Sequence, residues 1–113
     1  MKKIALALAT VAFAAVATPA IAGDLVKVPA HSTLAYRISA AGDFFVHAEG
    51  FKSDADVDYR LISPVGRTLH EDTDSTAWTE AFIDADSSGT FTLYIQNVSD
   101  EDTVVEVSSR SVR

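Results

Sequence analysis

From Gly89 to Asn97 the chain alternates without a slip, with Phe91, Leu93 and Ile95 on one side and Thr90, Thr92, Tyr94 and Gln96 on the other. Successive side chains of a strand point to opposite faces, so this period of two predicts a half-buried β-strand and excludes a helix. The rhythm recurs upstream. Leu34, Tyr36 and Ile38 alternate with Ala35, Arg37 and Ser39; Phe44, Val46 and Ala48 with Phe45, His47 and Glu49; and, in a strand expected over Asp56–Ile62, Val57, Tyr59 and Leu61 with Asp56, Asp58 and Arg60. Phe44, Val46 and Ala48 are expected in the core and Val57, Tyr59 and Leu61 inward; Leu34, Tyr36 and Ile38 mark one face of their strand, while Phe45, at a strand start, is open to either face. Turn residues separate these runs at Pro29, Gly42-Asp43, Ser63-Pro64-Val65-Gly66, Asp84–Ser88 and Ser99–Asp102. No window past residue 22 repeats its apolar residues at helical spacing. The pattern predicts one all-β domain, a single antiparallel β-sandwich, jelly-roll-like, of about 7–8 strands.

Within that sandwich the Gly89–Asn97 strand is expected to close the hydrophobic face, and Thr103–Val107 to pair with it. Leu25–Val28 and Arg67–His70 supply two shorter strands, and Glu71–Ser75 reads as an acidic loop. Thr76–Ile83 carries apolar residues on both sides: Trp78 and Phe82 against Ala77, Ala81 and Ile83. Bulk favours Trp78 and Phe82 as the inward pair.

The first residues have a different character. Lys2 and Lys3 precede an apolar run from Ile4 to Val16, Thr18-Pro19 breaks it, and Ala20-Ile21-Ala22 places small residues where a signal peptidase reads them. Residues 1–22 are therefore expected to be a cleaved Sec-type signal peptide, with cleavage after Ala22 and the sandwich domain spanning 23–113. The implied address is periplasmic or extracellular. The alternative is a retained anchor, but the apolar run is short for a span, and no membrane insertion of the mature chain is expected.

Loss of Lys2 and Lys3 with the leader takes the formal net charge from −7 to −9. So acidic a surface disfavours nucleic acid and anionic membranes as partners and suits cations or a basic partner. The chain has no Cys, which excludes disulfides, thiol catalysis and thiolate metal sites. A domain this small must then hold together through its apolar core, a bound ion or self-association.

Four stretches fall in a familiar order: Phe44-Phe45-Val46; Asp56-Val57-Asp58-Tyr59-Arg60-Leu61-Ile62-Ser63-Pro64-Val65-Gly66; Trp78–Phe82; and Gly89-Thr90-Phe91-Thr92-Leu93-Tyr94-Ile95-Gln96-Asn97. This order resembles bacterial pre-peptidase C-terminal domains and, as a close second, GOLD domains; the leader and the Asp56–Tyr59 phrase favour the former. The resemblance implies a β-sandwich used for binding, localisation or surface attachment and not for catalysis. Such modules normally accompany a secreted peptidase, and no peptidase is encoded in these 113 residues.

That resemblance also implies calcium, since some such modules bind it. The candidate ligands are Asp54, Asp56, Asp58, Asp84 and Asp86, carboxylates of the kind Ca²⁺ collects from loops. The competing reading is a set of solvated turn and outer-face carboxylates. Asp54, Asp56 and Asp58 alternate and are expected on one strand face, where they repel unless a cation or Arg60 offsets them. Asp84-Ala85-Asp86-Ser87-Ser88-Gly89 copies half of an EF-hand loop, but its twelfth position is Ile95 and no helices flank it, so an EF-hand is excluded. His31, His47 and His70 match no zinc or copper spacing. No Ser stands in a Gly-x-Ser-x-Gly setting, and a domain of this size has little room for a cleft, so no enzymatic role is expected. Tyr36, Tyr59, Trp78 and Tyr94 are the rings able to meet a sugar or peptide, with Tyr59 and Trp78 expected in the core. The sequence thus predicts a non-catalytic binding module for a protein or carbohydrate ligand. The alternative is a structural subunit that self-associates through an exposed sheet edge.

Overall fold

The computed structural model describes residues 23–52, 54–84 and 88–112; the expected signal peptide lies outside them. Eight strands follow in order: β1 (Asp24–Val28), β2 (Thr33–Ala40), β3 (Phe44–Gly50), β4 (Val57–Ile62), β5 (Thr68–Asp72), β6 (Trp78–Ile83), β7 (Gly89–Asn97) and β8 (Thr103–Ser111). They form two four-stranded antiparallel sheets, ordered β1-β8-β3-β6 and β2-β7-β4-β5. Consecutive strands mostly change sheet, and this interleaved order is that of a jelly roll. The all-β sandwich expected from the alternation is the fold observed.

Period two places the core where the sequence puts it. Tyr36, Ile38, Phe44, Val46, Ala48, Val57, Tyr59, Leu61, Phe91, Leu93, Ile95, Val105 and Val107 are all buried between the sheets. Phe44 of one sheet meets Phe91 of the other edge to face, with ring centroids 5.0 Å apart, a favoured aromatic geometry. Phe91, Leu93 and Ile95 thus form the centre of one core wall.

Two pairing expectations are corrected. β7 is not a closing strand: it lies inside its sheet between β2 and β4. Nor does β8 pair with β7. It crosses to the other sheet, where it joins β1 through Val26↔Val105 and β3 through Ala48↔Val107. Alternation fixes which side of a strand faces inward, but it carries no information about the neighbour.

The crossing from β7 to β8 is held by one side chain. Asn97 is fully buried; its Nδ2 donates to Val28 O at 3.0 Å and Glu101 O at 2.8 Å, and its Oδ1 accepts from Ser99 N at 2.9 Å. Its backbone N–H reaches Ser32 O at 2.9 Å, and Val98 N–H reaches Asp56 O at 2.9 Å. The β1–β2 and β3–β4 connections are therefore tied to the same place. At the opposite end Gly89 sits at φ +149°, where a Cβ would come within 2.9 Å of Pro64 Cγ. Glycine lets the Ser63–Gly66 turn lie down on the start of β7.

Asn97→Ala would leave two carbonyls and one N–H without their partner in a buried setting. It is expected to cost about 2–4 kcal/mol at unchanged denaturant m-value, measured by urea unfolding. A loss below about 0.5 kcal/mol would show that water replaces the carboxamide.

Candidate functional site

The two outer faces of the sandwich differ. Outside β2-β7-β4-β5 lie small and polar side chains such as Thr33, Ser39, Thr90 and Gln96, with Tyr94 the one exposed ring, 5.9 Å from Arg60 Cζ. Outside β1-β8-β3-β6 the register stacks three cross-strand rows. Phe82, Phe45 and Arg110 share the first, Glu80, His47 and Ser108 the second, and Trp78, Glu49, Glu106 and Leu25 the third. Trp78 is 51% exposed and Phe82 49%.

The inward assignment of Trp78 and Phe82 is thereby corrected. Antiparallel partners share a face, and Phe44 pairs with Ile83 while Phe45 pairs with Phe82. Burying Phe44 therefore forces Phe82, and with it Trp78, outward. The inner side of β6 has little space in any case. Tyr59 fills it from the other sheet, donating its hydroxyl to Ala77 O at 2.7 Å, and His70 Nε2 is hydrogen-bonded to buried Thr79 Oγ1 at 2.7 Å. Burial raises the Tyr59 phenol above its usual pKa, so the group stays neutral and donates.

The outward rings are held in place by their neighbours. Phe45 and Phe82 meet edge to face at 5.3 Å, and the Arg110 guanidinium lies 5.0 Å from the Phe45 ring centre, within cation–π range. His47 donates through Nε2 to Glu49 Oε1 at 3.3 Å, and its Nδ1 stands 3.9 Å from Glu80 Oε2. Phe45, Phe82, Arg110, His47 and Glu80, with Ala81, Ser108 and Ser109, line a shallow concavity of about 430 Å³. Flat rings beside a guanidinium, an imidazole, a carboxylate and two hydroxyls can stack on an apolar surface and hydrogen-bond its polar edge. On this face the sequence singles out only Trp78 as a recognition candidate, and Trp78 does not line the concavity; Phe45, Phe82, Glu80 and Arg110 are added by strand register.

The acidic residues fall differently. β4 begins at Val57, so Asp54 is an exposed turn residue and Asp56 a loop residue; Asp58 alone lies within the strand. Asp56 N–H is bound by Ser99 Oγ at 2.8 Å. Asp56 Oδ1 and Asp58 Oδ1 are shielded from solvent without a hydrogen-bond partner. Arg60 lies over Tyr94. Asp84 sits at the end of β6, and Asp86 lies outside the described residues. Among the described residues no three His, Asp or Glu side chains converge in metal-ligand geometry. The histidines are dispersed: His31 donates to Asp100 Oδ1 at 2.8 Å, His47 lies on the aromatic face, and His70 points into the sandwich.

No protein-family model and no curated protein sequence matches the chain significantly. Solved structures resemble its fold. The pre-peptidase C-terminal domain of a Bacillus anthracis collagenase is 14% identical, with TM-score 0.59 over 79% of this chain and 90% of that one. A Yersinia pseudotuberculosis mitogen is 14% identical, with TM-score 0.64 over 84% and 88%. A periplasmic inhibitor of g-type lysozyme from Aeromonas hydrophila is 10% identical, with TM-score 0.56 over 79% and 87%. The resemblance to the pre-peptidase C-terminal sandwich therefore holds at the level of the fold.

Asp58 is the carboxylate whose surroundings act most against it. Partial burial first, then the charges of Asp56, Asp72 and Asp74, hold its pKa above the ordinary Asp range. A folded-state pKa above the unfolded one means that ionised Asp58 weakens the fold at neutral pH. That cost disappears as pH falls below the unfolded value. Asp58→Asn is expected to raise the melting temperature at pH 7, and the gain should shrink as pH drops through the carboxylate range; an equal gain at pH 7 and pH 3 would contradict this origin.

Proposed function

We propose that the protein is a non-catalytic binding module of the periplasm or cell exterior. Its ligand, a protein or a carbohydrate, meets the outer face of the β1-β8-β3-β6 sheet. The observation that carries this reading is the row structure of that face. Trp78 and Phe82 stand half exposed on one edge strand, and Phe45 is fixed beside Phe82 by Arg110. Adjacent rings rimmed by polar groups, here Phe82 and Phe45 beside Arg110, His47 and Glu80, are the kind of surface that marks an interaction site. The leader-like residues 1–22 support the address. The sandwich fold, shared with a lysozyme inhibitor and a mitogen, is compatible with binding in the absence of chemistry.

A test compares the protein with Trp78→Ala and Phe82→Ala on two supports, an insoluble cell-wall preparation and immobilised secreted proteins. Both variants are expected to keep the wild-type melting temperature within a few degrees and to lose at least about 1 kcal/mol of binding on one support. Tyr94→Ala, on the opposite face, should bind as wild type. Equal retention of all four proteins would end the reading.

A second reading is self-association, favoured by β6 being an unpaired edge beside those same rings. Concentration-dependent sedimentation separates the two: a monomer throughout leaves the ligand-binding reading.

The proposal extends to Ca²⁺ at Asp56 and Asp58, beside Asp54; of the other candidate ligands Asp84 lies at the opposite end of the sandwich and Asp86 beyond the described residues. The two unpartnered oxygens of Asp56 and Asp58 favour it, because a cation would offset both their burial and their mutual repulsion. At 1 mM excess Ca²⁺ over a site of about 10 μM affinity, the expected stabilisation is roughly 2.7 kcal/mol. A melting temperature identical in Ca²⁺ and chelator would remove calcium from the account.

A further inference from the structure

The aromatic face has a size and a charge, and both bear on its ligand. We infer that it takes an uncharged oligosaccharide, whose ring faces stack on Trp78 and Phe82 while its hydroxyls bond Glu80, His47 and Arg110. This rests on the reading of that face as the binding surface and narrows its ligand class.

Size comes first. Outward residues of a strand recur about every 7 Å and neighbouring strands lie about 4.8 Å apart. The patch from Trp78 to Phe82 on β6, with its partners Glu49 to Phe45 on β3, therefore measures roughly 14 Å by 10 Å. Its flat outline is on the order of 150 Å², and a short run of sugar rings lies within it.

The chemistry agrees. The axial C–H faces of a pyranose are apolar and its rim is a ring of hydroxyls, so it needs a flat apolar floor beside hydrogen-bonding groups of both kinds. Here the floor is Phe82 and Trp78, with Glu80 between them on the same strand face. Glu80 and Glu49 accept hydrogen bonds, while Arg110 and Ser108 donate. Arg110 lies over the Phe45 ring and forms no salt bridge among the described residues, so its N–H groups are available to hydroxyls.

Charge decides between sugar classes. Glu49, Glu80 and Glu106 stand in adjacent rows against Arg110 and, in the next row out, Lys27, on a chain of net charge −7. A uronate or sulfate group would meet more negative than positive charge, so an acidic saccharide is disfavoured. An uncharged one loses nothing.

The protein reports on itself, because Trp78 is its one tryptophan. Cellohexaose, xylohexaose, laminarihexaose and chitohexaose are titrated in turn, with oligogalacturonate as the acidic comparison. Binding is read by Trp78 emission and by amide shifts along β3, β6 and β8. At least one uncharged hexaose is expected to give a saturable emission change with shifts centred on Phe45, Glu80 and Arg110. Phe82→Ala should weaken that binding about tenfold, and Tyr94→Ala should leave it unchanged. The inference is overturned if no uncharged hexaose moves either signal, if oligogalacturonate binds better than all four, or if Tyr94→Ala weakens binding as much as Phe82→Ala. Should no saccharide bind while Phe82→Ala still loses retention on immobilised secreted proteins, the saccharide falls and the binding face survives. Should Phe82→Ala also retain every support, both fall.

Discussion

The fold depends on the buried carboxamide of Asn97. A jelly roll carries its chain repeatedly from one sheet to the other, and at each crossing the backbone leaves a ladder that would have satisfied its N–H and C=O groups. Such groups cannot be left unpaired in a core. Asn97 meets this demand with three side-chain hydrogen bonds, and its own N–H ties in the β1–β2 turn. Asp56 and Ser99 extend the knot to the loop before β4. A chain without Cys in a domain of this size needs such a device, since the work of a disulfide, holding distant connections in one place, here falls to hydrogen bonds.

Once those crossings are fixed, strand parity follows, and parity builds the candidate site. β3 is the decisive strand because its two faces are both usable: Phe44, Val46 and Ala48 on one side, Phe45, His47 and Glu49 on the other. Sealing the first set against Phe91 hands the second set to solvent, and the antiparallel register carries Phe82 and Trp78 out with it. Tyr59 and His70 then occupy the room that larger residues on the inner side of β6 would have taken, which is why Ala77, Thr79 and Ala81 suffice there.

Much of this was legible in the residues. The inward sets of β2, β3, β4 and β7 follow from alternation alone, as does the all-β class. What was not legible is relational. The step from β7 to β8 across 98–102 is short enough for a hairpin, and only the Asn97 contacts show that it spans the sandwich. β6 offers apolar residues on both faces, so its orientation is set by Phe44 and Ile83 pairing, which no single-strand pattern contains. Asp54, Asp56 and Asp58 share a spacing of two, yet the spacing implies a common face only where the backbone is a strand, and β4 starts at Val57. Arg110 lies in a polar run after Val107 that gives no sign of its place beside Phe45.

β6 brings the fold and the site into tension. It is an edge strand with a free row of backbone groups, and it carries two of the largest exposed apolar side chains in the described residues. Such an edge invites pairing with another copy. Its length of six residues and Glu80 at its centre work against that outcome. In an antiparallel pairing centred on Glu80, each copy would set this carboxylate directly against its twin, an arrangement that destabilises a sheet. His47 stands 3.9 Å from Glu80 within its own chain but already faces Glu49 as well. The edge is thus protected by charge while the rings beside it stay open. A ligand that lies flat on Trp78 and Phe82 without using the backbone row can use the face as it stands; a strand-adding partner must first overcome Glu80.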